Sequence, residues 1–253
     1  MNRLVGAVRR VYSSCSKQAE CFANGMRFGF LFVRSRWFRM PRRVRAAGKS
    51  VALHLPQDHG AQSDFFACFI RNDYGLRHGL RPVETILDVG ANVGFFSIAA
   101  RARYPRAVIH AYEPNPRVLP FLESNTAELG ISVYPQAVGG EEGFVSMLDS
   151  GASNQARTSA AANGAITQVT LDTVIDRLGG SVDLLKLDCE GAEWDLFRLG
   201  DCWRRIRDIR MEYHLFHGET VEQVEDALRG LGFVVTHRNS DVGFGMVWAT
   251  RVP

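Results

Sequence analysis

The sequence has no pair of cysteines at the two-residue spacing of a zinc or redox motif. Its five cysteines (15, 21, 68, 189 and 202) are scattered and odd in number. A disulfide framework or a cysteine-held metal is therefore not expected, and reduced thiols in a cytoplasmic protein are. No apolar run reaches the roughly 18–20 residues of a membrane span. Arg9 and Arg10 interrupt the one place where the apolar core of a signal peptide would begin. Acids are nearly absent from the first fifty residues, where twelve Lys and Arg face only Glu20, a surplus of +11. The remainder holds 18 basic and 26 acidic residues, −8, which does not suit a nucleic-acid binder. With 253 residues, 46% of them hydrophobic and 23% charged, the chain has enough apolar material for one sizeable core.

Two phosphate-binding signatures are also missing. The dinucleotide fingerprint needs Gly-x-Gly-x-x-Gly, and a phosphate loop needs Gly-Lys-Ser/Thr; neither occurs at Gly90-Ala-Asn-Val-Gly94. What is present is a strand-like run, Thr85 to Val89, a turn holding Gly90, Asn92 and Gly94, and apolar positions at helical spacing from Phe95. Glycine permits positive φ and a close backbone approach. Such a turn at the carboxyl end of a parallel strand is where an open α/β sheet holds its ligand. A second strand, Val108 to Tyr112, ends in Glu113-Pro-Asn115-Pro, and an acid there can accept both ribose hydroxyls of an adenosine-containing cofactor. Asp88 adds negative charge beside the turn. That suits cationic S-adenosylmethionine better than a polyphosphate, while the plainer reading is a turn that only closes a βα unit.

The segments DVGANVGFFS, AYEPNP, the QAVG of Gln136 to Gly139, the TLD of Thr170 to Asp172, and LKLDCEGAEWDLF from Leu185 resemble the FkbM-type S-adenosylmethionine-dependent methyltransferases. The resemblance runs from about Phe66 to Val247. It implies a Rossmann-like class I α/β fold of about seven mostly parallel strands with a terminal antiparallel hairpin. It also implies O-methylation of sugars or natural products, and an adenine beside the turn of Ala137 and Val138. Cofactor contacts are thus expected from Asp88, Gly90, Asn92, Gly94, Glu113, Asn115, Ala137 and Val138.

A later strand, Asp183 to Asp188, ends in Asp188-Cys-Glu190-Gly-Ala-Glu193, and in a doubly wound sheet it opens onto the same crevice. Three acids there are costly unless paired, solvated or ligated. Asp188 and Glu190 are the first candidates to take a proton from an acceptor hydroxyl, with Glu212 and His214 behind the next strand, Ile206 to Met211, as the second pair. A divalent metal shared by these carboxylates is an option that the sequence leaves open. Glu193 reads as a helix cap, and Tyr74 as a side chain that closes the methionine end of the pocket or merely packs.

Two domains are expected, a basic arm over 1–49 and the catalytic domain over 50–253. Within the arm, the aromatic run of Met26 to Val33 beside six arginines reads as a peripheral helix on an anionic membrane or as a cover on the core. Further expectations are a strand at Val51 to Leu55, helices at Ser63 to Ile70 and Pro116 to Leu129, and strands at Ile131 to Gln136 and Phe144 to Leu148. Ser150 to Ala165 reads as a mobile lid loop, with Ser153, Asn154 and Arg157 as its polar candidates, or as a disordered insert. Next come a helix capped by Asp172, a helix from Val221 to Leu231, and a closing hairpin from Phe233 to Thr250. The partner is a small-molecule or glycan acceptor. A nicotinamide oxidoreductase on the same scaffold is disfavoured by the missing third glycine and the lack of a Tyr-x-x-x-Lys pair. A non-catalytic membrane-associated module would be expected to lose Asp88, Gly90 or Glu113, and all three are kept.

Overall fold

The computed structural model describes residues 17–57, 60–78, 81–148, 157–161, 163–216 and 218–252. A helix over 17–27 (α1) leads through an extended stretch to a hairpin of β1 (Arg43–Ala46) and β2 (Lys49–Ala52). Then come α2 (Gly60–Phe65), continued by a wider π turn over Phe66–Arg71, β3 (Thr85–Val89), α3 (Phe95–Arg103) and β4 (Val108–Tyr112). The chain goes on through α4 (Leu119–Thr126), β5 (Ser132–Tyr134), β6 (Ala137–Gly139), β7 (Gly143–Leu148), β8 (Arg157–Ala160) and β9 (Ile166–Thr170). It closes with α5 (Leu171–Arg177), β10 (Val182–Leu187), α6 (Glu193–Leu196), β11 (Ile206–His214), α7 (Val221–Gly230), β12 (Phe233–Ser240) and β13 (Phe244–Arg251).

Seven of these strands form one sheet in the order β12-β13-β11-β10-β3-β4-β5. The run β11-β10-β3-β4-β5 is parallel, and β13 is antiparallel to both β11 and β12. The central strands are buried along nearly their whole length, as parallel strands covered on both faces must be. Their order reverses at β3, between β4 and β10, so the carboxyl ends of these strands flank one crevice. The expected architecture and terminal hairpin are present.

A second sheet of four strands, β6-β9-β7-β8, was not foreseen. The expected lid of residues 150–165 contributes β8 to it, paired antiparallel with β7 from Val145 opposite Ala160 to Leu148 opposite Arg157. Its small Thr and Ser side chains read as loop, but strand formation follows the neighbour it pairs with more than intrinsic preference. Ser153 and Asn154 lie outside the described residues, as does the Arg157 side chain. Ala137 and Val138, expected in a turn, form β6 and pair with β9.

Other boundaries shift for local reasons. The Asn115 side chain accepts from the Arg117 backbone N–H (3.0 Å) and diverts the chain. The helix therefore starts at Leu119, with Pro120 rather than Pro116 as its first-turn proline. Thr170, not Asp172, caps α5 by accepting from Thr173 N–H (3.2 Å). The aromatic run of the arm is not helical beyond residue 27. Phe30 and Phe32 are instead buried against Phe38, Phe65 and Phe66, at ring separations of 5.3–5.7 Å. The β1–β2 hairpin spans the expected boundary at 49/50.

Candidate active site

The crevice at the carboxyl ends of β3, β4, β10 and β11 encloses about 940 Å³ including its open mouth, within the usual range for a small-molecule site. Gly90 sets its floor. It has φ +76°, its N–H donates to Tyr112 O (3.0 Å), and a Cβ built on it would lie 1.8 Å from the Asp188 carbonyl oxygen. No side chain fits there, so the β3 and β10 turns close on each other only through glycine. Gly94, at φ +88°, begins α3 but does not line the crevice.

Glu113 faces the same floor. Its Oε2 accepts from Asn92 N–H (2.7 Å) and its Oε1 from Asn115 N–H (2.8 Å), which fixes the carboxylate at the end of β4. Burial pushes its pKa up to about 7, against those two N–H donors, which pull it down. Each oxygen keeps a lone pair for a hydroxyl. Asn92 also donates from its side chain to Asp64 Oδ2 (2.6 Å), drawing α2 over the turn. Asn115 shapes the loop rather than the cavity. Ala137 and Val138 supply an apolar wall, and Thr158 of β8 joins them.

Asp88 is fully buried beneath the floor. Its Oδ2 accepts from Ser97 Oγ (2.6 Å), and its Oδ1 lies 3.4 Å from Lys186 Nζ. Lys186 was missed in the sequence, although a lone lysine inside the apolar strand Leu184-Leu-Lys-Leu187 is a signal. Its ammonium donates to Gly90 O and Val89 O and sits 3.5 Å from Asp188 Oδ2. Burial opposes that charge, but Asp188 and Asp88 outweigh it and hold the proton on. Asp88 is raised by the same burial, offset in part by Lys186.

The catalytic candidates gather on the opposite wall. Tyr74 donates its hydroxyl to Asp188 Oδ2 (2.9 Å), and burial raises its pKa well above the usual range, so it remains a donor. Glu190 stands at φ +53°, a left-handed conformation that few non-glycine residues adopt. Its Oε2 lies 3.4 Å from His214 Nε2, and Glu212 Oε1 lies 3.8 Å from the same nitrogen. Glu193 is not the helix cap expected. Its carboxylate accepts from Cys189 N–H (2.7 Å) and Gly191 N–H (2.8 Å), and so ties down the loop that carries Asp188 and Glu190. Burial and Asp188 push Glu212 up to about 9. His214 also reaches about 9, because burial, which favours its neutral form, is outweighed by Glu193 and Glu190. Asp188, Glu190 and Glu212 line the crevice directly, and His214 stands just behind them.

Residues 88–235 match the family profile described as "Methyltransferase FkbM domain". Among known proteins, "31-O-demethyl-FK506 methyltransferase FkbM" of Streptomyces tacrolimicus is 29% identical over 201 residues, covering 63% of this chain and 77% of that one. "Methyltransferase 1" of Beauveria bassiana is 28% identical over 186 residues, covering 62% and 74%. Among solved structures, a ribosomal protein L11 methylase from Lactobacillus delbrueckii subsp. bulgaricus is 14% identical with a TM-score of 0.48, over 80% of this chain and 84% of that one.

Proposed function

Because the chain belongs to the FkbM methyltransferase family, we propose that it moves a methyl group from S-adenosylmethionine to a hydroxyl oxygen of a sugar, glycan or small natural product. One observation carries this reading: Glu113 and the cluster of Asp188, Glu190 and Glu212 open onto the same crevice from opposite sides. The donor set fits the cofactor. Glu113 would take the ribose hydroxyls, Gly90 and Asn92 would form the floor, and Ala137 and Val138 would flank the adenine. The acids nearby favour a cation. When bound, S-adenosylmethionine supplies a methyl group already activated on a sulfonium, so the protein's task is alignment and exclusion of water.

The acceptor's oxygen becomes nucleophilic only as its proton leaves. Asp188 and Glu190 line the crevice on a tethered loop, whereas His214 stands behind it. The proton falls to Asp188 or Glu190. Tyr74 holds Asp188 in place by its hydrogen bond, and Glu193 fixes the loop beneath Glu190. A divalent ion at this cluster would acidify the hydroxyl further.

Calorimetry and turnover separate the parts. Asp188→Asn and Glu190→Gln should bind S-adenosylhomocysteine nearly as the parent does and lose roughly 10²–10⁴ in turnover of a hydroxylated acceptor. Tighter binding of NAD than of S-adenosylhomocysteine would overturn the reading.

A second reading concerns place rather than chemistry. No helix among the described residues is long and apolar enough to cross a membrane. Phe22, Met26, Leu31 and Val33 are exposed beside the arginines of the arm, and this mixed surface favours peripheral association with anionic lipid.

A further inference from the structure

The loop after β10 and the end of β11 bring three donors of two types within one small volume. A carboxylate oxygen of Asp188, one of Glu190 and an imidazole nitrogen of His214 all lie within 4.8 Å of one another. Glu212 offers a fourth donor, its Oε1 3.8 Å from His214 Nε2. Acidic clusters are common, so the decisive feature is the histidine. His214 is 94% buried, its backbone oxygen accepts from Trp194 Nε1–H (2.9 Å), and its ring lies parallel to that of Phe216, at 5.2 Å and 17°. Nε2 is thereby aimed at Glu190 and Glu212.

The other ring nitrogen, Nδ1, is buried and has no hydrogen-bond partner; the nearest carboxylate oxygen, Glu193 Oε1, stands 3.7 Å away. Glu193 is itself locked by two backbone N–H groups. Metal-ligating histidines give their outer ring N–H to a carboxylate, and Glu193 stands on the side where that partner is needed, just outside hydrogen-bond distance. Charge points the same way. Glu190 and Glu193 flank the imidazole and Asp188 stands beside them, while Lys186 is already engaged by Asp88, Asp188 and two carbonyl oxygens.

We propose that Asp188, Glu190 and His214, with Glu212 as a fourth donor, bind a divalent first-row metal ion at the acceptor side of the crevice. One imidazole with several carboxylates suits Mn²⁺ or Zn²⁺. Its use in gripping an acceptor hydroxyl rests on the methyl-transfer reading, whereas the ion site itself rests only on these residues.

The test uses the full chain and Mn²⁺ alone, followed by the loss of the free-ion electron paramagnetic resonance signal. One bound ion per chain is expected. Glu190→Gln, a near-isosteric change, and His214→Ala should each weaken it by at least about tenfold, the lower end of what even an outer partner costs. Asp195→Asn, on the exposed side of α6, should bind as the parent does and control for general surface acidity. Absence of a stoichiometric site, or equal binding by parent, Glu190→Gln and His214→Ala, overturns the proposal. S-adenosylhomocysteine binding, measured on the same samples, reports separately: its failure strikes the cofactor reading and leaves the ion site standing.

Discussion

Glu113 couples cofactor binding to pH. Its carboxylate, rather than its protonated form, accepts the ribose hydroxyls most strongly. Burial has raised its pKa to about 7, so affinity for S-adenosylhomocysteine should fall as pH drops from 8 to 6. In Glu113→Gln the affinity should be weaker, by about 1.5–3 kcal/mol at pH 8, and nearly flat with pH. Stability moves the other way. A folded acid whose pKa lies above its unfolded value holds its proton more tightly when folded. The free protein therefore loses stability as pH rises from about 4.5 through 7 and is level above. The rise to about 7, at about 1.4 kcal/mol per unit, makes the loss on the order of 3 kcal/mol. Urea denaturation of parent and Glu113→Gln at pH 5 and pH 8 checks this: the parent should show the larger drop, and equal slopes would contradict it.

Strands β3 and β10 are joined at their carboxyl ends by one buried cation. Lys186 reaches from β10 to Asp88 on β3 and to the carbonyl oxygens of Val89 and Gly90. Replacing it with methionine leaves Asp88 and Asp188 close together without their counter-charge, and should cost about 3–5 kcal/mol by denaturant titration. Adding Asp88→Asn should recover part of that loss. A single-mutant loss below about 1 kcal/mol would show that the pair is not strongly desolvated. These strands also mark what was legible in the sequence. The βα turns announced themselves through glycine and terminal acids, because backbone geometry restricts which residues can stand there. Asp88 was legible as important but not as a residue beneath the floor, since its partner Lys186 is distant in sequence. The β6–β9 sheet was obscured for the same kind of reason: Thr158 and Ser159 become strand residues only opposite Met147 and Ser146. Glu193 looked like a cap because acids favour helix starts, whereas its loop contacts depend on a local fold that spacing does not encode.

For the whole molecule, the basic arm is both surface and core. Phe30 and Phe32 belong to the same aromatic cluster as Phe65 and, through it, Phe95 of α3, and removing one such ring costs about 3–5 kcal/mol. Deleting the arm would thus confuse lost binding with lost folding. Charge substitution avoids this: Arg27, Arg34, Arg36 and Arg39 changed together to Gln should reduce sedimentation with vesicles rich in phosphatidylserine, at about 1 kcal/mol per removed charge near the surface. The binding of the parent should weaken with added salt. Unchanged sedimentation of a folded variant would assign the arm to packing alone.

The position of β13 bears on how the protein is made. This strand lies between β11 and β12, with Met246 opposite Glu212 and Phe244 opposite His214, yet it comes after both in the chain. A ribosome delivers residues 206–214 well before their neighbour exists. Until residue 251 has emerged, the strand carrying Glu212 and His214 has an open edge. Assembly of the site therefore waits for residues 244–251 rather than for the appearance of its own residues alone. Nascent chains stalled before residue 244 should capture no S-adenosylhomocysteine, and their exposed β11 edge is where a holding chaperone would have work.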